Sequence, residues 1–89
     1  MGLTILLVDD DQILTEKTKN SLNWDSLGIA MVFTANNIHE AKGILKVYKV
    51  DILLCDVDMP MGSGLELVEW IREEGMEIKC IFLSSYANF

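Results

Sequence analysis

Two apolar runs end abruptly in acid. Ile5-Leu6-Leu7-Val8 is followed by Asp9-Asp10-Asp11, and Leu53-Leu54-Cys55 by Asp56-Val57-Asp58-Met59 and then the chain's only proline, Pro60. Short continuous apolar runs are the pattern of strands buried on both faces of a parallel sheet. In open sheets of that kind, ligands bind at the carboxyl ends of the strands. Both runs therefore deliver carboxylates to one sheet edge. Negative charges crowded there repel one another unless a cation sits among them, and a set of hard oxygen donors with room for water and phosphate suits Mg²⁺. The chain reads first as a magnesium-dependent phosphate site.

The rest of the sequence repeats the same alternation of apolar run and helical period, which signals βαβ units and a parallel α/β sheet. Strands are predicted near residues 4–8, 31–35, 51–55 and 78–83. A first helix over 13–22 places Leu14, Thr18 and Leu22 on one face. A second carries Ile38, Ala41, Leu45 and Tyr48 at helical spacing, with Asn37 and Glu40 placed for a capping box. A third over 64–74 buries Leu67, Val68 and Ile71, leaves Trp70 on its flank and ends at Gly75. Right-handed crossovers place the first strand between the second and third, with the fourth beyond the third. Asp9, Asp10, Asp56 and Ser84 then converge from neighbouring strand ends.

These residues resemble the receiver domain of a two-component response regulator from Leu3 to the end of the chain. Asp9 and Asp10 match the family's acidic metal-binding pair. Asp56, in Asp56-Val57-Asp58-Met59-Pro60 with Gly62-Ser63-Gly64 following, matches its phosphoacceptor, and Ser84 matches the small hydroxyl residue that reports phosphorylation. Asn23-Trp24 and Ser84-Ser85-Tyr86 further resemble receivers that precede AraC-type DNA-binding domains. The resemblance implies a three-layer α/β/α flavodoxin-like fold with a parallel sheet. It also implies a Mg²⁺ ion held by Asp9, Asp10, Asp56 and the backbone carbonyl of Asp58, and a sensor histidine kinase as phosphoryl donor. The family's fourth helix, lysine-bearing fifth strand and fifth helix have no counterpart before Phe89. The expectation is a single receiver domain over residues 1–89, incomplete at its C-terminal end. Lys79, at the start of the fourth strand, lies at the wrong edge to replace that lysine.

Composition narrows the function. A net charge of −7 over 89 residues argues against direct nucleic-acid contact, which needs a basic surface, so any DNA reading belongs to another domain. No apolar run has the length of a membrane span, and no signal segment is evident; a cytoplasmic location is expected. Cys55 and Cys80 lie in apolar runs and read as reduced core thiols. Asp11 reads as a helix cap, His39 as a surface residue, and Met59 and Met61 as packing or adaptable contacts. Gly62 and Gly64 are expected to supply backbone freedom before the third helix.

The expected role is a phosphoacceptor switch rather than an enzyme. One alternative is a receiver-like module that binds partners without phosphorylation. Another is a haloacid-dehalogenase-like phosphatase, whose Asp-x-Asp after an apolar strand is imitated at both Asp9 and Asp56, although the chain is too short for that family's later motifs. An exposed fourth strand would favour a homodimer.

Overall fold

The computed structural model describes residues 2–56 and 64–83. In chain order these form β1 (Leu3–Val8), α1 (Gln12–Ser21), a 3₁₀ turn (Asp25–Leu27), β2 (Ile29–Ala35), α2 (Ile38–Val47), β3 (Ile52–Asp56), α3 (Gly64–Glu73) and β4 (Lys79–Leu83). The described strands form one parallel sheet in the order β2-β1-β3-β4. This is the predicted order, and with helices on both faces it makes the expected three-layer α/β/α arrangement.

Alternation along the strands divides the core in two. Leu6, Val8, Leu53 and Cys55 face α2 and α3, where Ile38, Ala41, Leu45, Leu67 and Ile71 complete the larger cluster. Ile5 and Leu7 point to the other face, joined by Ile29 with Trp24, Val32, Ile52 and Leu54 packed around them. Because β1 and β3 are apolar on both faces, neither of their faces can be left to water, which is why these runs do not alternate with polar residues.

The helix ends follow local chemistry. Asp11 caps α1 by accepting from the Leu14 N–H at 3.0 Å. Asn37 Oδ1 caps α2 by accepting from the Glu40 N–H at 2.8 Å. The return bond of that box is displaced by one residue: Glu40 Oε1 accepts from the N–H of Asn36, not of Asn37. After α3, Gly75 adopts φ +71°; its N–H donates to the Arg72 carbonyl, and the Met76 N–H donates back to Ile71. This is a Schellman closure, and Met76 packs on the cluster that holds Ile71. Gly75→Ala is expected to destabilise the fold by about 1 kcal/mol, since an L residue pays a steric cost at positive φ. Chemical denaturation of the two proteins checks this through the midpoint at unchanged slope.

Several expectations need correction. Val68 on α3 is only half-buried, and Tyr48 lies just past the end of α2, about half exposed at 49%. The face of α1 is not set by Leu14 and Leu22, which are both about half exposed (47% and 48%), whereas Thr15 is buried at 3%. Its hydroxyl donates to the Gln12 carbonyl at 2.9 Å, so a polar side chain enters the interface without losing its hydrogen bond. Gly64 is also not there for backbone freedom, since its φ is not positive. A Cβ at that position would sit 2.7 Å from the Phe82 ring and 3.0 Å from Cys55 Sγ. Glycine at this point lets the start of α3 approach β3 and β4 closely.

Candidate functional site

The register of the sheet brings the acids together. β1 and β3 are adjacent and in step, with Val8 opposite Cys55. The residues that follow, Asp9 just past β1 and Asp56 at the end of β3, are therefore neighbours at the carboxyl edge. Asp9, Asp10 and Asp56 each present a carboxylate oxygen, and these atoms all lie within 4.8 Å of one another. Asp56 is buried at 7% exposure, Asp9 is half-buried and Asp10 is exposed. The cluster thus grades from a buried carboxylate at the end of β3 to a solvent-facing one in the loop after β1.

The loop is held at several points. The Asp9 N–H donates to the Ala35 carbonyl at 3.1 Å, continuing the β1–β2 ladder by one residue. Asp9 Oδ1 accepts from the Asp11 N–H at 3.0 Å. Burial raises the Asp9 carboxyl above its ordinary pKa of 3.8; the Asp11 N–H works against this, while the charges of Asp56 and Asp10 add to it. Native Asp9 therefore holds its proton more tightly than in the unfolded chain. Its contribution to stability is present at low pH and is lost as pH rises through the raised value, so above that value the unliganded cluster carries an electrostatic cost.

A divalent cation would relieve that cost. The donor set is all oxygen and anionic, open to solvent on the Asp10 side, and fits Mg²⁺ better than a softer metal. Beside it, α1 and the sheet form an open apolar groove of about 190 Å³ lined by Leu7, Leu14, Thr18 and Leu54 together with Asp9 and Asp56.

Cys55 adjoins the buried carboxylate in sequence but points to the α2–α3 side. Burial, with the charge of Asp56 second, pushes its thiol up to about 12. A thiol held protonated is a poor nucleophile and a poor metal ligand, in line with a core role. Cys80 is raised as well, by burial, and both are free thiols. His39 is exposed on α2, and Lys79 opens β4 opposite Ile52, at the far edge of the sheet. Of the predicted site residues, Asp58 and Ser84 lie outside the described residues, as do Met59, Pro60, Met61 and Gly62.

The sequence profile of the response regulator receiver domain matches residues 5–89. The chain belongs to the response regulator receiver family. It is 33% identical over 85 residues to the uncharacterized transcriptional regulatory protein YesN of Bacillus subtilis strain 168, covering 96% of this chain and 23% of that protein. Among solved structures it resembles a two-component transcriptional regulator AraC from Clostridium phytofermentans, with TM-score 0.86 and 31% identity, covering 97% of this chain and 67% of that one. It also resembles the response regulator TrrA from Thermotoga maritima in complex with Mg²⁺ and BeF, with TM-score 0.79 and 32% identity, covering 96% of this chain and 71% of that one. This chain therefore spans less than a quarter of its YesN relative. The comparisons support phosphorelay signalling, the work of the family's receivers, which act as signalling modules and take phosphoryl groups from sensor histidine kinases.

Sequence reasoning missed Asn36 and Thr15. Asn36 Nδ2 donates to the Asp9 main-chain carbonyl at 2.9 Å and to Thr15 Oγ1 at 3.2 Å. The signal available was a polar pair, Asn36-Asn37, at the end of a predicted strand, where one residue suffices as a helix cap.

Proposed function

We propose that Asp56 accepts a phosphoryl group from a sensor histidine kinase, with Mg²⁺ held by Asp9, Asp10, Asp56 and the backbone carbonyl of Asp58. The observation that carries this reading is the meeting of Asp9, Asp10 and Asp56 within 4.8 Å at the carboxyl ends of adjacent parallel strands. The bound cation would offset the charge of the carboxylates and of the incoming phosphoryl oxygens. An Asp56 carboxylate oxygen donates the electron pair of the new O–P bond. The bond from phosphorus to the donor nitrogen breaks, and that nitrogen leaves with its electron pair. The product is an acyl phosphate on a strand end. Ser84, the residue after Leu83 in sequence, is the proposed hydroxyl that bonds a phosphoryl oxygen and passes the change to the surface.

The proposed output is transcriptional, which the name of the YesN relative supports; its exercise through another domain, in the cytoplasm, is part of the same proposal. The acidic net charge of −7 supports a receiver that makes no nucleic-acid contact of its own. Among the described residues no helix is long and apolar enough to cross a membrane.

Incubation with acetyl phosphate and Mg²⁺, read by intact mass, tests the reading. A phosphoryl mass gain that hydroxylamine removes is expected. No gain at any metal concentration would favour a module that binds partners without phosphorylation.

Self-association is proposed as well. Among the described residues β4 pairs only with β3, and its Ile81, opposite Leu54, is 40% exposed. Two copies that paired these edges about a two-fold axis would cover both edge and apolar surface in a closed dimer. Sedimentation over a concentration series should show a rising mean mass; a monomer at every concentration would count against it.

A further inference from the structure

The three acids repel one another and two of them sit in a loop, so something must hold that loop in the geometry a cation requires. The Asp9 carbonyl belongs to the peptide unit that joins Asp9 to Asp10. Because that unit is planar, fixing its oxygen fixes the direction in which the chain enters Asp10. Asn36 Nδ2 grips this oxygen at 2.9 Å.

Asn36 is itself fixed from two sides. Its amide nitrogen also meets Thr15 Oγ1 at 3.2 Å, and its backbone N–H donates to Glu40 Oε1 at 2.8 Å. Thr15 is buried and uses its hydroxyl proton on the Gln12 carbonyl at 2.9 Å, which leaves its oxygen lone pairs to receive Asn36. The Asp9 peptide is thus tied to the end of β2, to the first turn of α1 and, through Glu40, to the start of α2.

We propose that Asn36, supported by Thr15, is a positioning residue that orients Asp9 and Asp10 for cation binding. This rests on the reading that Asp9, Asp10 and Asp56 hold the metal. Loss of the Nδ2 donor frees the Asp9–Asp10 peptide, and the mutual repulsion of the carboxylates then drives the loop away from Asp56.

The test is Mg²⁺ titration of the full chain by isothermal calorimetry, with far-UV circular dichroism as a check on fold. Asn36→Ala and Asn36→Leu are expected to raise the Mg²⁺ Kd about tenfold, the lower end for loss of a group that orients a metal ligand. The metal concentration for half-maximal labelling by acetyl phosphate should rise by the same factor, while the rate at saturating metal stays at the wild-type value. Thr15→Val should raise Kd, and Thr15→Ser, which keeps the hydroxyl, should restore it.

An unchanged Kd in folded Asn36→Ala would overturn the proposal, as would loss of labelling at saturating metal with a wild-type Kd. If the Asn36 variants fail to fold, the Thr15→Val and Thr15→Ser pair decides, and equal Kd values in that pair would overturn it. Absence of Mg²⁺ binding to the wild-type chain is a different result: it removes the metal-site reading itself, and the role of Asn36 with it.

Discussion

Asp56→Ala and Asp56→Asn are expected to eliminate covalent labelling by a small acyl phosphate, with no residual mass gain elsewhere on the chain. The expectation rests on position as much as on residue type. Asp9 and Asp10 are carboxylates too, but they lie in the loop after β1, where Asp9 is turned toward the Asp11 N–H. Asp56 ends β3 and is buried against its neighbours at 7% exposure. Cys55 cannot substitute, because its thiol, pushed up to about 12, stays protonated at neutral pH. Intact mass followed by peptide mapping of the borohydride-reduced protein checks the site. A label that survives in Asp56→Ala would move the phosphoacceptor to another residue.

Mg²⁺ is expected to stabilise the fold substantially. A ligand that binds only the native state at one hundred times its Kd adds about 2.7 kcal/mol. For a domain of this size, that is a rise of roughly 10–20 °C in Tm. The raised Asp9 pKa gives the shift a sign in pH. Above that raised value Asp9 is ionised and a bound metal would replace repulsion with attraction, so the shift is large. As pH falls toward the raised value, a proton takes the place of the metal on Asp9, and the shift shrinks. Asp10→Asn should remove most of the shift. Asp9→Asn should raise the Tm of the metal-free protein at neutral pH, because it deletes a carboxylate that burial and its neighbours disfavour. Thermal unfolding with and without metal, at several pH values, checks all three. An equal shift in Asp10→Asn would place the cation elsewhere.

Much of the fold was legible along the chain. The apolar runs at β1 and β3 give strands to within a residue of the observed bounds, and the crossover rule gives the sheet order, because handedness leaves few alternatives. The caps at Asp11, Asn37 and Gly75 were legible for a local reason: each meets a partner within a few residues. β2 was less so, since it begins at Ile29, two residues before the predicted start. The cause lies in the preceding turn, where the Ile29 N–H is held by the Trp24 carbonyl at 2.9 Å and Trp24 packs against Ile5, Leu7 and Ile29.

The sequence by itself determined where the strands fall to within two residues, that two strands end in acid, and that Asp56 and the Asp9-Asp10 pair are the candidate site. These follow from periodicity and residue type, which act over a few residues. The burial of Thr15 rather than Leu14, the close approach that requires Gly64, and the grip of Asn36 on the Asp9 carbonyl were decided by the tertiary structure. Each depends on a partner distant in the chain: Asn36 is 27 residues from Asp9 and 21 from Thr15. No local pattern encodes such a meeting, because the hydrogen bonds form only when parallel strands in register bring the ends of β1 and β2 side by side.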